Sequence, residues 1–366
     1  VAMISSFKHI FFSVLFVFSS VLLTFANEGA LVHAQHEVAK VDSFVEKIDE
    51  KIAEEEAAYN PTPAVLHHVQ DSHTWDVFEM THINLPCIVY NSTDGLAFFQ
   101  YAEGETIKGY TCEHGGLARE DGAFFLDFSI TKNVFTMLLG ALILIAVLLS
   151  VANAYKTNKG APKGMQSLLE PVFVFLRDDV AKPGIGPKYE KFLPYIYTIF
   201  FFILINNLLG LIPVFPGGAN VTGNIAVTMV LALIAFVVIN LSGNKDYWMH
   251  ILNPDVPFLV KFILVPVEFL GIFIKPIALM IRLFANIFAG HVIVLSLISL
   301  IFVFGNAGKS IGGSFAGAAI AIPFTLFISL IEVLVAFIQA YIFANLTSVF
   351  IGLAVAEHAH HEEAHH

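Results

Sequence analysis

The chain has 366 residues, of which 57% are hydrophobic and 13% charged, and its formal net charge is -11. So apolar a chain does not stay in water as a monomer, and so acidic a one lacks the basic face that nucleic-acid binding requires. Its two cysteines, Cys87 and Cys112, form no CxxC metal pattern.

At the N-terminus Lys8 precedes an apolar run over 10–25, with small residues at Ala26 and Ala34. This predicts a secretory signal peptide over 1–34, or a retained membrane anchor of the same length. Either would export the next segment, placing Cys87 and Cys112 where a disulfide persists; two free thiols are the other outcome. Residues 35–127 have the composition of an extramembrane domain. Val41, Phe44, Val45, Ile48 and Ile52 recur at helical spacing among acidic residues, and short runs such as Ile88-Val89-Tyr90, Phe98-Phe99 and Phe124-Phe125-Leu126 follow. An amphipathic helix and then a small β-rich unit are expected, an α+β domain together.

The membrane domain is expected over 128–357. An uncharged apolar segment at 134–154 is long enough to cross a bilayer. The loop after it carries Lys156, Lys159, Lys163, Arg177, Lys182, Lys188 and Lys191, which assigns it to the cytoplasm. Within that loop 165–176 is apolar on one side and suits the membrane surface. No charge falls between Lys191 and Lys245, and a Pro/Gly break at 213–218 divides that stretch into spans at about 193–213 and 223–242. The apolar region 257–356 exceeds two upright crossings at about 1.5 Å per residue and a core of about 30 Å. Two long, tilted helices are expected there, kinked by Pro266, Pro276 and Pro323 and joined by a Gly-rich connection at 305–317. The fold class is an all-α polytopic membrane protein of about five membrane helices, with the His-rich tail 358–366 in the cytoplasm.

Ionisable side chains at membrane depth are functional candidates, and the last two helices hold Lys261, Glu268, Lys275, Arg282, His291 and Glu332. Arg282, in IALMIRLFANIFAGHV, keeps its charge at any physiological pH and therefore needs an aqueous or anionic environment. Glu268, Lys275 and Arg282 fall seven residues apart, on nearly one helix face, which Asn286 extends. His291, nine residues beyond Arg282, falls about 13.5 Å along the axis and on the opposite face. Glu332 and Gln339 share a face of the final helix, and a Glu beside a titratable His suits a proton relay.

The segment IKPIALMIRLFANIFAGHV followed by IEVLVAFIQAYIFANLTSVFI resembles the two signature helices of the subunit a family of rotary ATP synthases. The resemblance extends over about 128–357, including Asn206-Asn207 and a polar entrance at 220–224. It implies a stator subunit of a bacterial inner membrane, offering two offset half-channels for protons beside a ring of c subunits, each with a membrane carboxylate. Arg282 would take the family's arginine position, Asn286 and Gln339 its polar neighbours, and Glu268 an acidic position on the cytoplasmic exit side. His291 and Glu332 would take two positions where imidazole and carboxylate exchange between family branches. The implied partners are the c-ring, the b-subunit peripheral stalk, the other synthase subunits, lipid and protons, with no nucleic acid, cofactor or metal.

GNAGKS at 305–310 imitates the end of a phosphate-binding loop, but Val303 stands where its first glycine belongs, so no nucleotide is expected on this chain. His67, His68, Asp71, His73, Asp76 and His82 include metal-ligand types without a ligand spacing and are expected as solvent-exposed polar residues. Asn91-Ser92-Thr93 fits a glycosylation acceptor. A secondary transporter using Arg282 for an anion would show internal repeats, and none is legible.

Overall fold

The computed structural model describes residues 60–78, 81–113, 116–119, 121–157, 162–212, 217–254, 256–306 and 309–356. The expected signal peptide, the amphipathic helix near 41–52 and the His-rich tail lie outside them.

A short helix α1 (Thr62–Val69) leads into eight short strands that form three small antiparallel sheets. These are β1 (Thr74–Phe78) with β2 (Thr81–Asn84); β3 (Pro86–Asn91) between β4 (Gly95–Gln100) and β8 (Leu126–Asp127); and β6 (Tyr110–Glu113) between β5 (Thr106–Ile107) and β7 (Gly116–Arg119). The expected β-rich unit is present, with two of its predicted apolar runs on β3 and β4 and the third, Phe124-Phe125-Leu126, leading into β8. Burial alternates along β3: Cys87, Val89 and Asn91 face inward while Pro86 and Tyr90 face out, as the two-residue period of a half-buried strand dictates. Cys87 and Cys112 meet in one buried cluster with Tyr101, and both thiols are free, so the expected disulfide is not formed in this structure.

Asn91 makes the β3–β4 turn. Its side-chain oxygen accepts from Thr93 N at 2.8 Å and Thr93 Oγ1 at 2.6 Å, its amide donates to Phe124 O at 3.0 Å, and Gly95 takes the positive φ of 74° that closes the turn. A buried amide so engaged is a poor glycan acceptor. His73 and Asp71 also differ from their expected exposure. His73 is buried with Nε2 at 3.2 Å from Asp127, stacked on Tyr101. The half-buried Asp71 accepts from Thr131 Oγ1 at 2.8 Å and from Asn133 N at 3.2 Å, capping the first turn of the next helix.

That helix is α2 (Lys132–Thr157). The expected surface helix follows as α3 (Met165–Phe175), continued by a π-helical turn (Leu176–Ala181) and the short α4 (Lys182–Ile185). A π turn disrupts the regular ladder, and here the Val180 carbonyl receives Ser348 Oγ at 3.0 Å. Next come α5 (Tyr189–Gly210) and α6 (Ile225–Leu241), close to the expected spans, and then α7 (Lys245–Leu252), bent by 102° from α6. Gly243 permits the bend, since a Cβ there would lie 2.6 Å from Tyr247 Cδ1. The long helices are α8 (Phe258–Phe304) and α9 (Ile311–Val355). Four of these helices are long and apolar enough to cross a membrane, or five when the bent pair counts as one span. At 47 and 45 residues, α8 and α9 are too long to stand upright in it.

The connection between α8 and α9 is shorter than the glycines suggested. Gly312, Gly313 and Gly317 lie inside α9, and Gly317 packs its Cα against Leu300 O and Ile301 Cα of α8, where a Cβ would be 2.9 and 3.0 Å away. Gly313 and Gly317 bring two helices together rather than turning the chain. A core of buried residues from α5, α8 and α9, including Phe200, Leu283 and Phe343, holds the bundle, with polar groups threaded through it.

Candidate polar site across the helix bundle

Arg282 lies near the middle of α8 on an exposed face of the chain, beside the exposed Ile281. Among the described residues it has no hydrogen bond, ion pair or ring contact. One turn along the same face, Asn286 Nδ2 donates to Gln339 Oε1 of α9 at 2.9 Å, and Gln339 itself is buried. Arg282 therefore borders a polar seam between α8 and α9 without being neutralised by it. Lys275, expected on the same stripe, lies over the Phe350 ring at 5.3 Å. Glu268 is half-buried and, at two such repeats from Arg282, stands about 21 Å away along the axis. The stripe is thus a row of separated charges.

The opposite face of α8 carries a second group. His291 Nδ1 is 3.2 Å from Ile287 O and 3.9 Å from Glu332 Oε1, and Nε2 is 3.3 Å from Gly210 O at the end of α5. A neutral imidazole donates through one nitrogen only, so it satisfies one of the two facing carbonyls in either tautomer and both only when protonated. Gly290 makes room for this pair, because a Cβ there would collide with the Glu332 carboxylate. The structure brings His291 to Glu332 and Asn286 to Gln339, and it keeps Arg282 and Glu268 apart from both pairs.

Above His291 a polar cluster continues beneath the α5–α6 connection. Thr222 Oγ1 donates to Asn207 Oδ1, and Asn207 Nδ2 donates to Ala336 O at 3.3 Å. Both amide atoms of Asn220 and the Oδ1 of Asn206 are buried without a hydrogen-bond partner. Asn206 Nδ2 returns to Phe202 O of its own helix at 2.8 Å. The sequence singled out 220–224 and Asn206-Asn207; within the first of these it is Thr222 whose hydroxyl bonds the Asn207 carboxamide directly. It did not mark Asn133 and Thr136 on α2, also buried with unpartnered side-chain atoms. Their signal was polar residues three apart at the start of an otherwise apolar helix. No group of three or more His, Cys, Asp or Glu side chains is placed to hold a metal ion among the described residues.

The family model described as ATP synthase A chain matches residues 134–352, and one for a domain of unknown function (DUF8433) matches residues 64–128. The chain is 41% identical over 307 residues to ATP synthase subunit a of Chloroherpeton thalassium, covering 82% of this chain and 79% of that one. It is 40% identical over 313 residues to the subunit of the same name in Chlorobium phaeobacteroides, with the same coverage of 82% and 79%. Against that of Myxococcus xanthus it is 43% identical over 248 residues, 66% of this chain and 78% of the relative.

Proposed function

Because the chain belongs to the ATP synthase A chain family and is a multi-pass membrane protein, we propose that it is the stator subunit that carries protons between the two sides of the membrane and a rotating c-ring. The observation that supports this most is Arg282, a permanent cation on the outer face of the bundle with no counter-charge bonded to it among the described residues. A charge at mid-bilayer costs about 3 kcal/mol or more unless an anion or water meets it. In this reading a deprotonated carboxylate on a neighbouring ring supplies that anion.

In this reading protons pass from the outer side through the Asn220, Thr222 and Asn207 cluster to His291 and Glu332, and from there to the ring. The ring carboxylate releases its proton on the other side near Glu268 before it reaches Arg282. The guanidinium then attracts the bare carboxylate and repels a proton, so the two half-channels do not short-circuit through the helix. Asn286 and Gln339 hold the seam beside it. ATP chemistry belongs to other subunits, and the b-subunit stalk holds this one still. The lysines at 156–191 mark the cytoplasmic side, which puts the β region outside the inner membrane of a bacterium.

The test is ATP-driven acidification of inverted vesicles carrying parent or Arg282→Ala chain, with assembly of the complex verified. Loss of pumping from an assembled complex is expected; retained pumping overturns the role. Arg282→Lys is expected to fail too, since a compact ammonium does not reproduce the planar guanidinium.

A further inference from the structure

The outward face of the β4-β3-β8 sheet is apolar across all three strands. Antiparallel pairing sets Leu96, Tyr90 and Leu126 side by side in one row. Two residues along, Phe98 pairs with Ile88, and the Phe128 N–H donates to Ile88 O at 2.8 Å. A second row of Phe98, Ile88 and Phe128 therefore stands on the same face, because side chains repeat every two residues on a strand. Phe98 and Phe128 are 56% and 61% exposed, and Tyr90, Leu96 and Leu126 are exposed as well. The reverse face of these strands packs inward, where Cys87 and Val89 are buried and Asp127 meets His73. A contiguous apolar patch of this kind marks a surface that meets a membrane or another protein.

The strand that carries Phe128 runs straight into the membrane domain. The Ile130 N–H still pairs with Pro86 O at 3.2 Å, and α2 starts at Lys132. With 26 residues α2 is about 39 Å long against a hydrocarbon core of about 30 Å, so its ends reach the headgroup layers. The apolar rows thus begin within a few residues of lipid. The β region is also tied down there: Asp71 accepts from Thr131 and Asn133, the Ser72 and His68 carbonyls accept from Lys132, and α1 packs against α8. At the β4 edge the exposed Lys108 donates from Nζ to Phe98 O at 2.8 Å, a position from which an ammonium also meets lipid phosphate. We propose that the face bearing Tyr90, Phe98 and Phe128 rests in the headgroup and upper acyl layer of the leaflet at which α2 starts, so that lipid covers it. Aromatic rings, with an apolar body and in Tyr90 a polar tip, suit that layer. Chain continuity favours lipid over a second protein, because α2 fixes the bilayer beside this face whatever else is bound. The β region then acts as a foot on the membrane surface, independently of the direction of proton flow and of the role of Arg282.

Two quenchers, one carried by lipid and one by water, test the face. Assembled complexes carrying Phe98→Cys or Phe128→Cys are labelled with a thiol-reactive NBD fluorophore and placed in phosphatidylcholine nanodiscs. Leu142→Cys, on the outward side of α2 at 64% exposure, is the lipid control, and the exposed Glu105→Cys is the water control. Cys87 and Cys112 are buried, so their failure to label in a native variant shows that the β region is folded. Where a replacement exposes them, Leu96→Cys on the same face takes its place. Nitroxide-labelled phosphatidylcholine is expected to remove most of the fluorescence at 98 and 128, as at 142, while iodide removes little; position 105 should behave the opposite way. Iodide quenching at 98 and 128 equal to that at 105 puts the face in water and overturns the proposal. Protection from both quenchers, or failure of these two thiols to take the label, puts another protein over the face and overturns it equally.

Discussion

The β region and the helix bundle treat buried polar side chains in opposite ways. In the β region Asp71, Asn91, Ser129 and the His73–Asp127 pair all find partners within the chain. In the bundle the buried Asn206, Asn220 and Thr136 leave atoms unbonded, and the exposed Arg282 has no partner among the described residues. An unpartnered buried group costs about 1–3 kcal/mol, so the bundle carries a cost that the bonded groups named in the β region avoid.

The contrast is broken most directly at Arg282. Its replacement by Ala should abolish pumping while leaving the assembled chain about as stable as the parent, because no hydrogen bond or ion pair among the described residues is lost; a large drop in thermal stability would place Arg282 among the structural residues instead. The next largest effect is expected at Glu332→Gln, which keeps the volume beside Gly290 and removes the ionisable group. Acidification should slow severalfold and Gly290→Ala should imitate it by displacing the carboxylate. In the β region the same kind of change should act on stability alone. Asn91→Ala removes three hydrogen bonds and should cost about 2 kcal/mol, read as faster proteolysis between β3 and β4 with pumping per assembled complex unaltered.

The smallest effect is one of pH. Burial raises the Asp127 carboxyl, but hydrogen bonds from His73 and Ser129 outweigh it and hold the group below the usual carboxylate range. A folded pKa lower than the unfolded value of about 3.9 means that this contribution is complete above that pH and is lost as the pH falls through the lower folded value. Protease resistance of the β region should therefore decline below about pH 4, and Asp127→Asn should flatten that dependence. Cys87 adds a chemical check: burial pushes its thiol up to about 11, so in the native complex it should react far more slowly with iodoacetamide than an exposed cysteine.

Helical geometry made much of this legible beforehand. A rotation of 100° per residue separates Arg282 from His291 and aligns it with Asn286, and the structure has them so. The charge-free stretch and its Pro/Gly break located α5 and α6 within a few residues. What stayed hidden depended on neighbours distant in sequence. Gly313 and Gly317 look like turn residues until α8 is known to press on them, and His73 looks like a surface histidine until Asp127, far along the chain, closes over it. Thr222 has no pattern of its own; its meaning comes entirely from Asn207.

The lower end of α9 has a mechanical consequence. There Gly352 sits directly on the backbone of Gly184, Ser348 binds the carbonyl freed by the π turn, and Asn244 ties the carbonyls of Ala354 (from its backbone N–H at 3.0 Å) and Val355 (from its side chain at 2.9 Å) to the corner between α6 and α7. Backbone contacts of this kind yield far less than interlocked side chains do. If a rotor drags sideways along α8 and α9, this end behaves as the clamped root of a cantilever, and the load passes through it into α4 and the α6–α7 corner.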